Sequence, residues 1–244
     1  MPKPDSCIFY RGPSRLDGEE IVAIATTGSD NRKTGDMIQT WILRTSHSPT
    51  EAVRLGHDSS ICGDCYHRGA RGSRGSADRP RTCYVNVGQA PQGIWRKFRR
   101  RGYPKMHLRE FLEQRGGQAL RMGSYGDPVA VPIAAWDGAS SAHTRTGYTH
   151  QWRRAAADPF RSLIMASCDS PAEAMDAARH GWRTFLVRPM HDPSIVVESI
   201  ECLADSHGKT CVECGLCRGT QGAAKAPSIW IEAHGTAKRF VGAL

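Results

Sequence analysis

Long apolar runs, internal repeats and low-complexity segments are all missing from this chain of 244 residues. A membrane-spanning helix needs about 20 consecutive apolar residues, and no stretch of the chain approaches that length. The N-terminal sequence MPKPDSCIFYRGPSR lacks the apolar segment of a secretory signal peptide, so we expect none. These absences indicate a cytoplasmic protein with no membrane partner, long enough to bury a substantial core.

Acidic residues are too few to balance the basic ones, since 24 Asp and Glu face 33 Lys and Arg, for a net charge of +9. Much of the excess lies in two segments, the arginines from Arg68 to Arg81 and the run WRKFRRRGYPK. A basic segment with interleaved aromatics suits contact with phosphates and bases, but also suits a solvated helix face. The candidate nucleic-acid contacts are Arg96, Lys97, Arg99, Arg100 and Arg101.

The chain is expected to form a single domain, residues 1–244, built in three parts. Residues 1–107 contain a three-cysteine site and the basic loop. In this part EIVAIATT reads as a strand, and MIQTWILRT reads as a strand or a short helix. Residues 108–200 form a β/α core, and residues 201–244 hold a four-cysteine metal loop followed by a closing strand.

Strand and helix patterns alternate along the core. LREFLEQRG and PAEAMDAARHG read as helices, the second with Ser170 as its N-cap, and VAVPIAAWDG reads as a short helix after Pro128. The segments ALRMGSYGDP, HTRTGYTHQW, RSLIMASCDS and WRTFLVRP each contain a predicted strand. This alternation predicts an α/β fold with a parallel sheet, arranged as a partial (β/α) barrel of the TIM type.

Polar residues follow the predicted strands of the core. In parallel α/β folds the carboxyl ends of the strands carry the functional site. Taken singly, each such residue also fits a turn or a helix cap, whereas their recurrence favours the mouth of a site. The candidate catalytic residues are Asp127, His150 and Asp169, and the candidate cofactor contacts are Gly126, Asp127, Tyr148 and Thr149.

Nine cysteines are present, and an odd number in a reducing compartment favours metal binding or redox chemistry over disulfides. Four of them, Cys202, Cys211, Cys214 and Cys217, form a C-x8-C-x2-C-x2-C array. Zinc sites usually use two separated C-x2-C pairs, whereas three cysteines at steps of three resemble ferredoxin-type [4Fe–4S] ligation. The array therefore predicts one metal centre, with an iron–sulfur cluster favoured and zinc as the alternative.

A second group consists of Cys62 and Cys65 in the sequence CGDC, with Cys83 following after seventeen residues. Three thiolates leave one position of a [4Fe–4S] cluster or of a zinc ion open, which chemistry at a metal requires. Alternatively, a nearby side chain completes a structural zinc site, the candidates being His57, Asp64 and His67.

Several motifs of the chain resemble those of a group of uncharacterised tailed-phage proteins. The shared motifs are CGDC…CYV, LR.G.YGDP, GYTHQW, MAS.DSPAEA and GWRTF.V, followed by a stretch with four cysteines, and they extend from about Gly35 to Phe240. The resemblance implies a phage origin and the cytoplasm of the host cell.

The layout more distantly resembles radical S-adenosylmethionine enzymes, which combine a three-cysteine cluster site, a partial (β/α) barrel and an auxiliary cluster near the C-terminus. That resemblance implies a [4Fe–4S] cluster on Cys62, Cys65 and Cys83, with S-adenosylmethionine at its open iron. The usual C-x3-C-x2-C spacing is absent here, although outlying members such as the carbon–phosphorus lyase also space their cysteines widely. We therefore expect an iron–sulfur enzyme that acts on a nucleotide or nucleic acid; the alternative is a non-catalytic, zinc-stapled nucleic-acid-binding protein.

Overall fold

One nine-stranded sheet organises the chain, whose computed structural model describes residues 3–28, 31–69, 79–192, 198–221, 226–235, 238 and 241. Arg71 and Arg74 of the basic loop lie outside the described residues. The strand order is β1-β2-β3-β4-β5-β6-β7-β9-β8. The strands are β1 (Ser6–Pro13), β2 (Glu20–Thr26), β3 (Ile38–Arg44), β4 (Leu120–Tyr125), β5 (Arg145–Thr149), β6 (Met165–Cys168), β7 (Thr184–Arg188), β8 (Ser199–Glu201) and β9 (Ser228–Glu232).

Short helices connect and cover the strands. The α-helices are α1 (Pro49–Leu55), α2 (Ser59–Cys62), α3 (Ala90–Arg99), α4 (Leu108–Glu113), α5 (Pro171–Arg179), α6 (Leu203–Ser206) and α7 (Cys211–Cys214). In the described part of the chain, 3-10 helices span Tyr66–Arg68, Pro128–Ala130, Ile133–Trp136, Ala139–Ser141 and Ala155–Ser162. Within the described residues, none of the helices has the length and apolar character needed to cross a membrane.

The N-terminal third of the sheet is antiparallel, because β2 pairs with β1 on one side and with β3 on the other. All side chains from Ile21 to Ala25 are fully buried, which explains why β2 is apolar without alternation. The strand predicted in EIVAIATT is confirmed, and MIQTWILRT contains a strand rather than a helix. The sequence patterns had not predicted β1.

From β3 onwards every strand pair is parallel, as the alternation of the core predicts. Helix α5 begins as expected, since the Ser170 hydroxyl accepts a hydrogen bond from the backbone N–H of Glu173 at 3.2 Å. The segment after Pro128 differs from the prediction, because it forms short 3-10 helices. Pro128 and Pro132 in this segment cannot donate a backbone hydrogen bond, which disfavours a continuous α-helix.

The sheet has two free ends, because β1 and β8 do not pair with each other within the described residues. The architecture is therefore a mixed α/β fold with an open, mostly parallel sheet. Its core includes the fully buried side chains of Phe111, Trp136 and Phe160. The carboxyl ends of β4 to β7 form one edge of this sheet, and the segment with Cys62 and Cys65 packs near that edge.

Candidate functional site

Asp127, His150 and Asp169 lie just beyond the carboxyl ends of β4, β5 and β6, respectively. These three strands are neighbours and parallel, so their carboxyl ends meet at one edge of the sheet. The structure thus brings together the three candidate catalytic residues, as the sequence predicts.

Asp127 is held by hydrogen bonds on both carboxylate oxygens. Oδ1 accepts from the backbone N–H of Val129 at 3.0 Å, while Oδ2 accepts from the Thr149 hydroxyl at 2.9 Å and from the backbone N–H of His150 at 3.0 Å. Burial raises the pKa of Asp127, although these hydrogen bonds oppose the shift. Thr149 is fully buried beneath it. The geometry makes Asp127 and Thr149 a rigid support for His150.

Gly126 is required for packing at the same edge. Its φ is +85°, a conformation that favours glycine, and a Cβ there would lie 2.7 Å from the Cβ of Ile42. The next backbone N–H, that of Asp127, donates to the carbonyl oxygen of Ile61 at 2.6 Å. The close approach of these segments places the residues before Cys62 directly against the end of β4.

The loop between Cys62 and Cys65 is fastened to the end of β5 as well. The side-chain amide of Gln151 donates to the carbonyl oxygen of Cys62 at 3.1 Å. Gly63 packs so tightly on Gln151 that a Cβ would lie 2.5 Å from its Oε1. These contacts hold the first cysteine pair at the carboxyl edge of the sheet.

Cys83 is held near this pair by a hydrogen bond to His67, which follows Cys65 by two residues. The backbone N–H of Cys83 donates to the carbonyl oxygen of His67 at 2.9 Å. Burial raises the pKa of the Cys62 thiol well above its ordinary value, and the charges of Cys65 and Cys83 raise it further. Burial also raises the pKa of Cys83, with a smaller contribution from Cys65. The three thiols are therefore close enough for their charges to affect one another.

The side chains proposed to complete a zinc site with these cysteines have other partners. His57 packs against His47 with ring centroids 4.7 Å apart, and Asp64 forms an ion pair with Arg154 at 2.6 Å. His67 Nε2 lies 2.9 Å from Oδ1 of Asp169. His150 is the histidine that approaches the group, with its Nε2 4.0 Å from the sulfur of Cys65.

His150 and His67 both direct Nε2 at Asp169, whose Oδ1 lies 3.4 Å and 2.9 Å away, respectively. Burial raises the pKa of Asp169, but its hydrogen bonds with the two histidines outweigh burial and hold the pKa well below its ordinary value. Burial lowers the pKa of His150, but the nearby charges of Cys65 and Asp169 raise it well above its ordinary value.

Cys65, His150 and Asp169 do not form a catalytic triad. In a triad the base contacts the nucleophile through one ring nitrogen and the orienting carboxylate through the other. Here the sulfur of Cys65 and the carboxylate of Asp169 both face Nε2 of His150. The arrangement brings several ligand atoms to one point instead, which is typical of metal sites.

The second cysteine group packs near the amino ends of the parallel strands, because its segment contacts residues that precede β3, β5, β6 and β7. Helix α7 carries Cys211 and Cys214 and begins with a capping box between Thr210 and Glu213. The backbone N–H of Cys211 donates to the carbonyl oxygen of Lys33 at 2.9 Å, which ties the helix to the segment before β3. Because this segment leads directly into the sheet, α7 has a fixed position relative to β3.

Burial and shared charge shape the thiols of this group. Burial raises the pKa of Cys217 to about 12, against a hydrogen bond from the Tyr148 hydroxyl, and the charges of Cys211, Cys202 and Cys214 add to the rise. All nine cysteines are free, so neither group is joined by disulfides. The four thiols therefore form a second electrostatic group, next to Tyr148 of β5.

A buried arginine, Arg183, organises the loop of the second group. Its Nε and Nη2 donate to the carbonyl oxygens of Ala226 and Pro227 at 3.2 Å and 2.6 Å. Its Nη1 donates to the carbonyl oxygen of Leu216 at 2.8 Å and also to that of Arg218. One guanidinium thus joins the end of the four-cysteine segment to the residues just before β9. The sequence patterns had not singled out this residue.

A cavity of about 370 Å³ joins the two cysteine groups. Its walls contain residues from both groups and from the carboxyl ends of the strands, together with Tyr84 and Arg121, which the sequence patterns had not indicated. The Arg121 guanidinium donates to the Tyr84 hydroxyl at 2.7 Å. The site residues that line it are Cys62, Cys65, Cys83, Cys202, Cys211, Gly126, Asp127, Tyr148 and His150.

The basic run on and after α3 lies elsewhere. Arg96, Lys97, Arg99, Arg100 and Arg101 are all exposed, and none of them lines the cavity. Lys97 and Arg99 lie over the rings of Tyr103 and Trp95, respectively. Among the described residues, none of the five forms an ion pair with a carboxylate. They form a basic surface separate from the cavity.

Comparison with known proteins gives no relative from which to assign the site. No protein-family model, no curated protein and no solved structure matches the chain.

Proposed function

We propose that the protein is an iron–sulfur enzyme of the radical S-adenosylmethionine type, with its active site in the cavity between the two cysteine groups. The single observation that carries this proposal is the shared lining of that cavity. Three cysteines of one group, two of the other and the strand-end residues Asp127 and His150 all face it. A protein that uses metals only as structural staples has no need to gather both groups around one ligand-sized space.

The sulfur atoms of the described chain do not have the spacing of three ligands on one zinc ion. With bonds of about 2.3 Å, a tetrahedral zinc ion holds its sulfur ligands about 3.8 Å apart. Within the part of the chain that is described, neither group has three sulfurs that all lie within 4.8 Å of one another. The proposal of clusters rests on the sequence, in which three cysteines at steps of three resemble ferredoxin-type [4Fe–4S] ligation. Cys62, Cys65 and Cys83 are the proposed ligands of one cluster, and Cys202, Cys211, Cys214 and Cys217 of the other.

The strand order supports a partial (β/α) barrel as the frame of this enzyme. Strands β3 to β7 are parallel and follow one another in sequence order, as strands do around a (β/α) barrel. An incomplete barrel leaves one side of its mouth open. The four-cysteine segment, fastened by Arg183, packs beside this parallel part of the sheet.

When bound, a cluster with an open iron supplies one electron to S-adenosylmethionine. The protein's own contribution is to position the reactants and exclude water. Asp127 fixes the backbone of His150, while Tyr148 and Arg121 line the wall of the cavity. Pre-set polar groups of this kind orient a substrate without reorganising during the reaction.

A nucleotide is the substrate class that the lining of the cavity favours. Tyr84 is half exposed at its wall, with the ring of His234 5.3 Å away, and it offers an aromatic face to a base. Lys33 and Arg121 line the same cavity and offer positive charge to a phosphate. The proposal places the protein in a reducing cytoplasm, that of the host if the chain is phage-encoded.

Electron paramagnetic resonance of the anaerobically reduced protein tests the proposal. We expect S-adenosylmethionine to change the cluster signal, because it binds the open iron. Cys83→Ala should remove the responsive signal and keep the other, whereas Cys214→Ala should do the reverse. Cys168→Ala, at a buried cysteine outside both groups, is the matched control. A signal that S-adenosylmethionine leaves unchanged would contradict the radical mechanism.

A second candidate function, zinc-stapled binding of nucleic acid, is favoured by one observation, the exposed basic surface on and after α3. Five cations without carboxylate partners in the described chain suit a phosphate backbone. This candidate predicts a colourless, zinc-containing protein whose affinity for DNA or RNA falls steeply with salt. Replacing Arg96 and Arg100 together by Gln should weaken that affinity. It should also reduce the slope of log affinity against log salt concentration by about two, because two phosphate contacts are lost.

A further inference from the structure

We infer that His67, His150 and Asp169 form a third metal site, which binds a divalent transition-metal ion through two imidazoles and one carboxylate. The ligand atoms, His67 Nε2, His150 Nε2 and a carboxylate oxygen of Asp169, all lie within 4.8 Å of one another. This is the sole group of three such ligands that the described residues contain at that spacing. The inference does not depend on which metal the cysteines bind.

The three ligands come from separate segments that the fold brings together. His67 lies in the 3-10 helix Tyr66–Arg68, His150 follows β5, and Asp169 follows β6. Each side chain is mostly buried, with exposed fractions of 11%, 19% and 21%, respectively. Ligands on a rigid sheet edge are held in place before the ion arrives, which favours binding.

The local charge fits a divalent cation. Asp169 forms ion pairs with the two histidines, and the described lysines and arginines form none with it. With neutral imidazoles, the set carries one negative charge in a mostly buried place. A buried carboxylate without a permanent cation is costly, and a bound divalent ion removes that cost.

A second layer of contacts fixes the orientation of His67. Its Nδ1 lies 2.7 Å from the hydroxyl of the buried Thr82, and its carbonyl oxygen accepts from the backbone N–H of Thr82 at 3.0 Å. A partner on Nδ1 turns Nε2 towards the metal position. Metal-binding histidines are commonly held in this way, and loss of the outer partner typically weakens binding by about 10–100-fold.

Space around the site leaves room for an additional ligand. His67 and His150 line the cavity between the cysteine groups and also a second cavity of about 470 Å³, whose wall includes Asp169. A site with three protein ligands and access to solvent keeps positions open for water or a substrate oxygen. Zn²⁺ and Fe²⁺ are the ions that two histidines and a carboxylate suit best.

X-ray absorption at the zinc edge tests the inference on the anaerobically purified full chain, with its cysteine groups already saturated with iron or zinc and one further equivalent of Zn²⁺ added. Iron in the cysteine groups does not contribute at this edge. We expect nitrogen and oxygen neighbours at about 2.0–2.1 Å, including imidazole. A spectrum with only sulfur neighbours at about 2.3 Å would overturn the third site.

Zinc affinity, measured by competition with a chromogenic chelator, provides the second readout. Asp169→Asn and His67→Asn should each weaken binding at this site by more than tenfold, and Thr82→Val by about 10–100-fold. The exposed His57→Asn is the matched control and should change nothing. Circular dichroism identifies a variant that fails to fold, and Thr82→Val, which keeps every ligand, then decides the matter. Unchanged affinity in a folded Asp169→Asn, or in a folded Thr82→Val where Asp169→Asn does not fold, would refute the inference.

Discussion

Replacing Arg183 by Met should strongly destabilise the protein. The guanidinium donates to four backbone carbonyl oxygens, two in the four-cysteine segment and two just before β9. Only 5% of the residue is exposed, so water does not replace these bonds while the loop stays packed. Met fills a similar volume but donates nothing, and the four carbonyl groups lose their charged partner.

The size of the effect follows from two opposing contributions. Hydrogen bonds from a charged donor contribute about 1.5–3 kcal/mol each, but relief from burying the guanidinium offsets much of their sum. Burial lowers the pKa of Arg183, which reflects that desolvation cost. Each carbonyl group left without its partner costs about 1–3 kcal/mol, and after the offset from desolvation we expect a net loss of about 3–5 kcal/mol.

Urea unfolding followed by tryptophan fluorescence measures this loss. With a slope of about 2–3 kcal/mol/M, the midpoint should fall by about 1–2.5 M. Arg179→Met is the control, because Arg179 is exposed and pairs with Asp176 on the helix surface, so its loss should cost less than about 0.5 kcal/mol. If Arg183→Met unfolds within about 0.2 M of the unmodified protein, the role assigned to this arginine is wrong.

Three further perturbations test the sheet edge. In the same urea assay, Gly126→Ala should cost more than about 2 kcal/mol, because φ is positive there and the new Cβ would overlap Ile42. The control is Gly93→Ala in α3, where a Cβ has open space and should stabilise the protein by up to about 1 kcal/mol. Asp127→Asn should cost about 2–3 kcal/mol by calorimetry, since an amide cannot accept on both sides; an unchanged melting temperature would contradict this. Without metal, the free energy of unfolding should be greatest between about pH 4 and 6.5. The lowered pKa of Asp169 stabilises the folded state above the ordinary pKa of a carboxyl, and this stability is lost in acid. The raised pKa of His150 stabilises the folded state below the ordinary pKa of a histidine, and this stability is lost as the pH rises through the raised pKa. The pH profile of Asp169→Asn should be flatter on both sides, and an identical profile would count against the pairing.

Local signals explain why part of the fold was predictable. Ser170, Pro171 and Glu173 give the start of α5 within four residues, and the polar residues after β4, β5 and β6 mark the site edge. Helix α1 carries an equally readable signal, because Ser48 and Glu51 form a capping box around Pro49. That helix was absent from the prediction although its signature stands in the sequence.

Other features depend on tertiary contacts that no local pattern reveals. His67 and Asp169 are 102 positions apart, and only the packing of the three-cysteine loop on the sheet edge brings them together. Arg183 reads as one basic residue in the strand segment WRTFLVRP, yet the folded chain buries it. Strand β1 depends on pairing with β2, and its short apolar segment does not distinguish it from a loop.

Iron and acid-labile sulfide content of the protein purified without oxygen tests the central claim most directly. The account predicts a brown protein with broad absorbance near about 400 nm and about eight iron and eight sulfide per chain, for two [4Fe–4S] clusters. Cys83→Ala should lower both contents by up to about half without affecting the four-cysteine site. A colourless protein that contains zinc and no sulfide would contradict the account and favour two structural zinc sites.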